Sequence, residues 1–280
     1  MRNNIIYETR QFFPIHKDFQ SMFSHKVSLG EKYASQKNVL ILTLARNIEH
    51  KVNYSLKIIK DLCQKFSQHR VFIYENDSTD DTVNSIKDII NYDTYANFSV
   101  FTEVLETEAL PMSKHTYRTK QMARARNKCY QLACETFPDF QHHLVLVIDI
   151  DFLNTCIDGL MNSLGWLSDH PEMSAICGNS YQFTNPYNLS QYHNYDSFAF
   201  RLNYWDYYDM PWFPHFSLPI GSKPIPVNSA FGGAAFYRSK FYADNYLGND
   251  CEHVTFHKYI KNQYPEFQLF CNPSQIMLLD

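Results

Sequence analysis

The chain has 280 residues, enough for one large α/β domain or two small ones around a substantial core. Hydrophobic residues make up 45% and aromatics 16%, which excludes an intrinsically disordered chain. Asp plus Glu is 29 against 25 Lys plus Arg, and the formal net charge of -4 excludes a general attraction for nucleic acid.

The elements follow in chain order from hydrophobic periodicity. Residues 1–37 mix aromatics with His, Lys and Gln without a clear period and read as an extension packed on the domain. V-L-I-L-T-L-A, residues 39–45, is a buried strand ending at Arg46 and Asn47, and Val52, Leu56, Ile59, Leu62, Cys63 and Phe66 then fall at helical spacing. A second strand, 70–74, runs into the polar turn E-N-D-S-T-D-D-T, and residues 83–90 resume helical spacing. A third strand at 98–104, a helix at 121–137 containing M-A-R-A-R-N, and a central strand at 144–148 complete the pattern. This alternation predicts an α/β fold with a mostly parallel central sheet flanked by helices. Beyond it, residues 159–168 read as a helix and 174–178 as a strand.

The central run Leu144–Ile148 stops at two acids. Asp149 and Asp151 flank Ile150, and on an extended chain their side chains share a face, about 7 Å apart. Open α/β sheets place ligands at such strand ends. Like charges there call for a neutralising partner, and Mn2+ or Mg2+ on oxygen ligands is the simplest. A solvated strand end is the plainer alternative.

No dinucleotide fingerprint or P-loop follows any strand. The turn that begins at Glu75, Asn76, Asp77, Ser78 and continues to Asp80 offers acids and hydroxyls without glycine, which suits a base and ribose better than a phosphate chain; Asp77, Ser78 or Asp80 could equally cap the next helix. Arg124 and Arg126, two apart on a helix, point to different sides with Asn127 beside them, and one guanidinium could face a diphosphate. Their alternative is an ordinary solvated face.

An aromatic belt occupies residues 181–216, with Tyr187, Tyr195 and Trp212 among its members; such faces bind sugar rings, although core packing accounts for most of them. Gly232 and Gly233 are adjacent in a chain with only 8 glycines, which marks close backbone approach to a ligand or a bend in a strand. Glu252, His253 and His257 crowd a helix start, the histidines at i, i+4. A capping box from Asn249 to Glu252 would explain the glutamate alone. The seven cysteines are odd in number and include no C-x-x-C, so buried reduced thiols are expected and a zinc site is not. No apolar segment is long enough to cross a bilayer and the amino terminus lacks a signal-type apolar region, pointing to a cytoplasmic protein or to the soluble catalytic part of an anchored enzyme.

Taken together, S-T-D at Ser78–Asp80, D-I-D at Asp149–Asp151, F-G-G at Phe231–Gly233 and C-E-H at Cys251–His253 resemble a GT-A fold glycosyltransferase. E-N-D-S-T-D-D-T, M-A-R-A-R-N, V-I-D-I-D-F and the F-G-G to C-E-H-V-T-F-H tail are more specifically similar to the cryptococcal capsule-associated mannosyltransferase family, over residues 38–260. The sequence departs from that family in carrying E-N-D-S where E-S-G-S is expected, and in lacking a membrane anchor. The resemblance implies a single catalytic domain over 38–280, with a nucleotide-sugar-binding half at 38–152 and an acceptor-binding half at 153–280. It implies a donor site of Glu75, Asn76, Asp77, Ser78, Asp80, Arg46, Arg124, Arg126, Asn127, Asp149, Gly232 and Gly233. The metal would sit on Asp149 and Asp151, with Asp151 the direct ligand and His253 or His257 a later one, and Glu252 or Asp250 would act on the acceptor. The partners expected are a nucleoside diphosphate sugar and a hydroxyl acceptor. The competing readings are a non-catalytic carbohydrate-binding module and a sugar nucleotidyltransferase; the latter wants a glycine-rich loop after the first strand, and L-T-L-A-R-N has none.

Overall fold

The computed structural model describes residues 9–107, 116–184 and 192–279. In chain order its elements are α1 (Thr9–Phe12), α2 (Gln20–Ala34), β1 (Asn38–Ala45), α3 (Glu49–Cys63), β2 (Gln68–Asn76), α4 (Thr82–Ile90), β3 (Phe98–Glu103), α5 (Thr116–Thr136), β4 (Leu144–Ile148), β5 (Asn154–Thr155), α6 (Ile157–Asp169), β6 (Ala175–Phe183), β7 (Tyr192–Asn194), β8 (Ile225–Val227), β9 (Ala234–Arg238), α7 (Glu252–Gln263) and β10 (Leu269–Leu279). Tyr187 of the aromatic belt and residues 1–8 of the amino-terminal extension lie outside the described residues.

One sheet runs through the molecule in the order β3-β2-β1-β4-β9-β6-β10-β5, with β7 on β6 and β8 on β10. The first four strands are parallel, as the alternation predicts. β9 is antiparallel to both β4 and β6, and β6 is parallel to β10, so the second half is mixed. Alternation along β4 shows why its residues are uniformly apolar: Leu144, Leu146 and Ile148 join the core under α3, α4 and α6, and Val145 and Val147 join the opposite core under α5 and α7. The chain leaves β1 towards β2 on one side, while β4 pairs on the other. The crevice at the carboxyl ends of β1 and β4 is therefore the topological switch point, where such sheets bind ligands.

Helix α2 and strand β10 went unpredicted for local reasons. The buried positions of α2 are Phe23, Lys26, Gly30 and Ala34, so its inner face carries a lysine and a glycine instead of an apolar stripe. Gly30 lets α2 cross α6 at backbone contact: a Cβ there would lie 1.7 Å from the Met161 carbonyl oxygen. The Lys26 ammonium lies 2.6 Å from Asp169 and 3.9 Å from the Trp166 ring centre, which explains how a lysine is buried. In β10, the polar run Asn272 to Gln275 interrupts the apolar pattern where the register with β6 shifts.

Candidate active site

Three loops at the carboxyl ends of β1, β2 and β3 are stitched together before any ligand arrives. Asn47, with φ of 53°, accepts the Thr79 N–H on its Oδ1 at 2.7 Å, and its own N–H goes to Ser78 Oγ. The first free amides of α3 are satisfied from across the cleft floor, Ile48 by Thr82 Oγ1 at 2.7 Å and Glu49 by Asp80 Oδ2 at 3.1 Å. Asp80 Oδ1 also accepts the Thr82 N–H at the start of α4. Glu75 is buried with Oε1 on the Ser78 N–H at 2.9 Å. Asp80, Ser78 and Glu75 thus shape the turn. Asp77, at φ 55°, accepts the N–H groups of Leu105, Glu106 and Thr107 and the Thr107 hydroxyl. Burial pushes the Asp77 carboxyl up, but these hydrogen bonds outweigh it and hold the group well below the usual carboxylate range.

Above this floor lies a cleft of about 730 Å³. Leu44 to Ile48 come from the end of β1, Tyr74 and Asn76 to Thr79 from β2, Val104 to Thr107 from after β3, and Asp149 and Asp151 from after β4. Helix α5 closes the remaining side with Arg118, Gln121, Met122, Arg124 and Ala125. The cleft therefore gathers the expected Arg46, Asn76, Asp77, Ser78, Arg124, Asp149 and Asp151, and adds Arg118, Gln121 and Tyr74. Arg46 reaches Thr107 with both terminal nitrogens. The Tyr74 hydroxyl donates to Glu103, fixing its ring beside that wall.

Arg126 points to the opposite side of α5 from Arg124, as their spacing requires. Its Nη2 lies 3.3 Å from Asp149 Oδ1 and its Nε 3.2 Å from Glu252 Oε1, with the guanidinium over the Phe231 ring at 4.9 Å. The Arg126 and Glu252 side chains are only 4% and 10% exposed, whereas Asp149 keeps 32%. One buried cation thus joins a carboxylate that opens on the cleft to one that stays beneath it. Desolvation raises the Asp149 pKa, Arg126 opposes that shift, and neighbouring Asp151 adds to it. The capping box is absent: α7 begins at Glu252 itself, and its preceding residue Cys251 makes no side-chain cap. Glu252 is explained by Arg126.

The glycine pair sits against a strand. Gly232 and Gly233 have φ of 57° and 76°, and a Cβ on Gly232 would lie 2.1 Å from the Gly178 carbonyl oxygen of β6. The turn presents two backbone groups to the acids: the Gly233 carbonyl accepts the Asp149 N–H at 2.8 Å, and the Gly232 N–H donates to Asp196 Oδ2 at 2.8 Å. Asp196 is a site residue that sequence reasoning missed. Its one local signal, the acid in N-Y-D-S, gives no hint of a contact 36 residues away. Burial raises its pKa to about 6, the Gly232 N–H opposes this, and the charge of Glu252 adds to it. The preceding Tyr195 is raised by burial and then by Asp196, and Asp151 and Asp149 also contribute, which places this segment near the β4 acids.

Four expected residues sit apart from the cleft. Asn127 donates to and accepts from the Tyr246 backbone, both at 2.9 Å. Asp250 pairs at 3.2 Å through both oxygens with Arg201, whose side chain is fully buried. His257 is buried with Nδ1 on Ser229 Oγ and Nε2 on Tyr237 OH, leaving neither nitrogen for a metal. His253 stacks on Phe231 at 3.8 Å with neither ring nitrogen hydrogen-bonded; burial, then Arg126, holds its pKa far below normal, so the ring is neutral. All seven cysteines are free and all but Cys134 are buried. No helix among the described residues is long and apolar enough to cross a membrane.

A cleft at the switch point of such a sheet, edged by two acids and basic side chains, is where an open α/β sheet binds its ligand. The sequence model of cryptococcal mannosyltransferase 1 matches residues 38–275, and the chain belongs to that family. No curated protein matches the chain in sequence. Among solved structures it is similar to the mannosyltransferase PcManGT from Pyrobaculum calidifontis in complex with GDP-Man and Mn2+, at 12% identity and a TM-score of 0.48 over 92% of this chain and 65% of that one. It is similar as well to glucosyl-3-phosphoglycerate synthase from Mycobacterium tuberculosis in complex with Mn2+, UDP and phosphoglyceric acid, at 10% identity and 0.46 over 90% and 73%. S. aureus TarS 1-349 in complex with UDP-GlcNAc follows at 13% and 0.47 over 88% and 59%. The chain thus spans just under two thirds of the length of the first of these.

Proposed function

We propose that the protein is a metal-dependent glycosyltransferase moving a sugar from a nucleoside diphosphate sugar, a UDP-sugar or GDP-mannose, to a hydroxyl of a glycan or other acceptor. The observation that carries this reading is the convergence in one cleft of Asp149 and Asp151 with Asn76, Asp77 and three arginines, Arg46, Arg118 and Arg124. Asp149 and Asp151 would hold Mn2+ or Mg2+, hard cations that take oxygen ligands. When bound, the metal stabilises charge developing on the leaving diphosphate.

The chain's own groups do the rest. Asn76 and the loop of residues 104–107 that Asp77 holds in place line the side offered to the base and ribose, and Arg118 and Arg124 the side offered to the phosphates. Arg126 contacts Asp149 and Glu252 at once and so fixes the two carboxylates relative to each other. For an inverting transfer the acceptor hydroxyl needs a base, and two carboxylates are candidates: Glu252, paired with Arg126, and Asp196, which accepts the Gly232 N–H and feels the charge of Glu252. Glu252 is the expected one, and the raised pKa of Asp196 makes it the alternative, since a base works best with a pKa near the operating pH. The test is release of nucleoside diphosphate from GDP-mannose and UDP-sugars with Mn2+, with Mg2+ and with chelator. Metal-stimulated release is expected. A protein that binds sugars but releases no nucleoside diphosphate from any donor is a binding module, and the proposal fails.

A further inference from the structure

Among the aromatics of residues 192–216, Tyr192, Tyr195, Tyr208 and Trp212 are exposed. Three of them rest on other rings: Tyr192 on Phe13 with centroids 4.6 Å apart, Tyr208 on Tyr204 at 4.6 Å, and Trp212 on Phe216 at 5.6 Å. Tyr195 differs. It is 48% exposed, and among the described residues its ring has no aromatic or cationic partner and its hydroxyl no hydrogen bond. The backbone that carries it is fixed all the same. The Tyr195 N–H donates to the Ser180 carbonyl of β6 at 2.9 Å, its carbonyl accepts the Ser197 N–H at 2.8 Å, and the next side chain, Asp196, accepts the Gly232 N–H. An unpartnered ring thus stands on a rigid mount.

The sheet sets where that mount lies. β9 is antiparallel to β4 and starts where β4 ends, Ala234 beside Ile148, and β6 is antiparallel to β9. The carboxyl end of β6, which holds Tyr195 through Ser180, is therefore at the same edge as the acids after β4. Along that edge the order is β3, β2, β1, then β4, then β9 and β6. The hydroxyl also feels the charges of Asp196, Arg118, Asp151 and Asp149, which puts it within electrostatic range of the cleft. A nucleoside diphosphate sugar is linear in the same sense, running base, ribose, diphosphate, sugar. With its base over the ends of β1 to β3 and its diphosphate at Asp149 and Asp151, its sugar falls past β4, over the glycine turn and towards Tyr195. Gly232 and Gly233 bring no side chain to this stretch, and the Tyr195 ring supplies an apolar face of the kind that the C–H face of a hexose packs against.

We propose that Tyr195 is a specificity-determining residue whose ring packs against the transferred sugar of the donor. The proposal rests on the protein being a glycosyltransferase and adds the side chain that tells a nucleotide sugar from the bare nucleotide. It is tested by calorimetric titration with Mn2+ of GDP-mannose against GDP, and of UDP-glucose against UDP. The proteins are the wild type, Tyr195→Phe and Tyr195→Ala, with melting curves to confirm that each is folded. Tyr195→Ala should lose about 3- to 10-fold in affinity for the nucleotide sugar that the wild type binds, the worth of one ring contact, and keep its affinity for the matching nucleoside diphosphate. Tyr195→Phe keeps the ring and should bind both as the wild type does. A merely structural role would move both ligands together. That result, an unchanged sugar affinity in Tyr195→Ala, or a loss in Tyr195→Phe equal to that in Tyr195→Ala would overturn the proposal. A wild type that binds none of the four ligands refutes the glycosyltransferase reading itself.

Discussion

Arg126 is the side chain on which the candidate site turns, and replacing it with methionine separates its two roles. Methionine keeps the length and helix propensity of the stem and removes a guanidinium that contacts Asp149 at 3.3 Å and Glu252 at 3.2 Å. Breaking a buried ion pair costs about 3–5 kcal/mol, because the partner is left charged and unpaired. Glu252, at 10% exposure, meets that condition; Asp149, at 32%, recovers much of its solvation from the cleft. The loss should fall near the lower end, about 3 kcal/mol, which for a domain of this size lowers the melting temperature by roughly 6 °C or more. Lysine in its place keeps the charge without the fork and should fall between the two. Urea melts of Arg126→Met, Glu252→Gln and the double variant complete a cycle, in which a coupling of at least ~1 kcal/mol is expected. Donor hydrolysis should also fall, since Asp149 loses the group that orients it. An Arg126→Met protein that melts and turns over like the wild type would refute the link between the two acids.

Asp77→Ala should raise the donor KM more than it lowers kcat, because it releases the amides of residues 105–107 that line the cleft; its carboxyl is held below its ordinary value, so what it adds to stability is complete above pH ~4 and lost as pH falls below that. Asp196 has the opposite sign: with its pKa raised to about 6, the folded state binds a proton more tightly than the unfolded one, so this residue's contribution to stability should grow as pH falls from 7 towards 4. Asp196→Asn should remove that pH dependence in thermal melts. Gly232→Ala forces both a positive φ and a contact with the Gly178 carbonyl, and should destabilise by about 1–3 kcal/mol or more with loss of activity, seen in melts and donor hydrolysis. Asp250→Asn should cost stability through buried Arg201 and leave the pH profile of turnover in place.

The parallel half of the sheet was legible because its strands are short apolar runs and α3 carries a clear apolar stripe; Leu144–Ile148 matches its predicted bounds. Helix α2 was not, because its buried face contains Lys26 and Gly30, whose places are set by Asp169, Trp166 and the backbone of α6 far along the chain. The cleft acids were readable since Asp149 and Asp151 follow a buried strand directly. The tail of the site was less legible: the capping box weighed against a catalytic Glu252 does not form, because α7 starts on Glu252 itself, and both nitrogens of His257 are taken by Ser229 and Tyr237. Asp196 needs Gly232 to become visible, and no periodicity encodes a side chain meeting a turn across the sheet.

The most direct measurement is the affinity for a nucleoside diphosphate sugar with Mn2+ and with chelator, read by calorimetry and by melting shift in the wild type and in Asp151→Asn. Binding to the folded state raises stability by RT ln(1 + [L]/Kd), so the melting shift tracks the affinity. The wild type should bind at least ~10-fold more tightly with Mn2+, and Asp151→Asn should erase most of that gain while keeping its fold, since losing one element of electrostatic stabilisation removes on the order of 100-fold in turnover. Equal donor affinity with and without metal in the wild type, together with full activity in chelator, would contradict metal-dependent donor binding through Asp149 and Asp151.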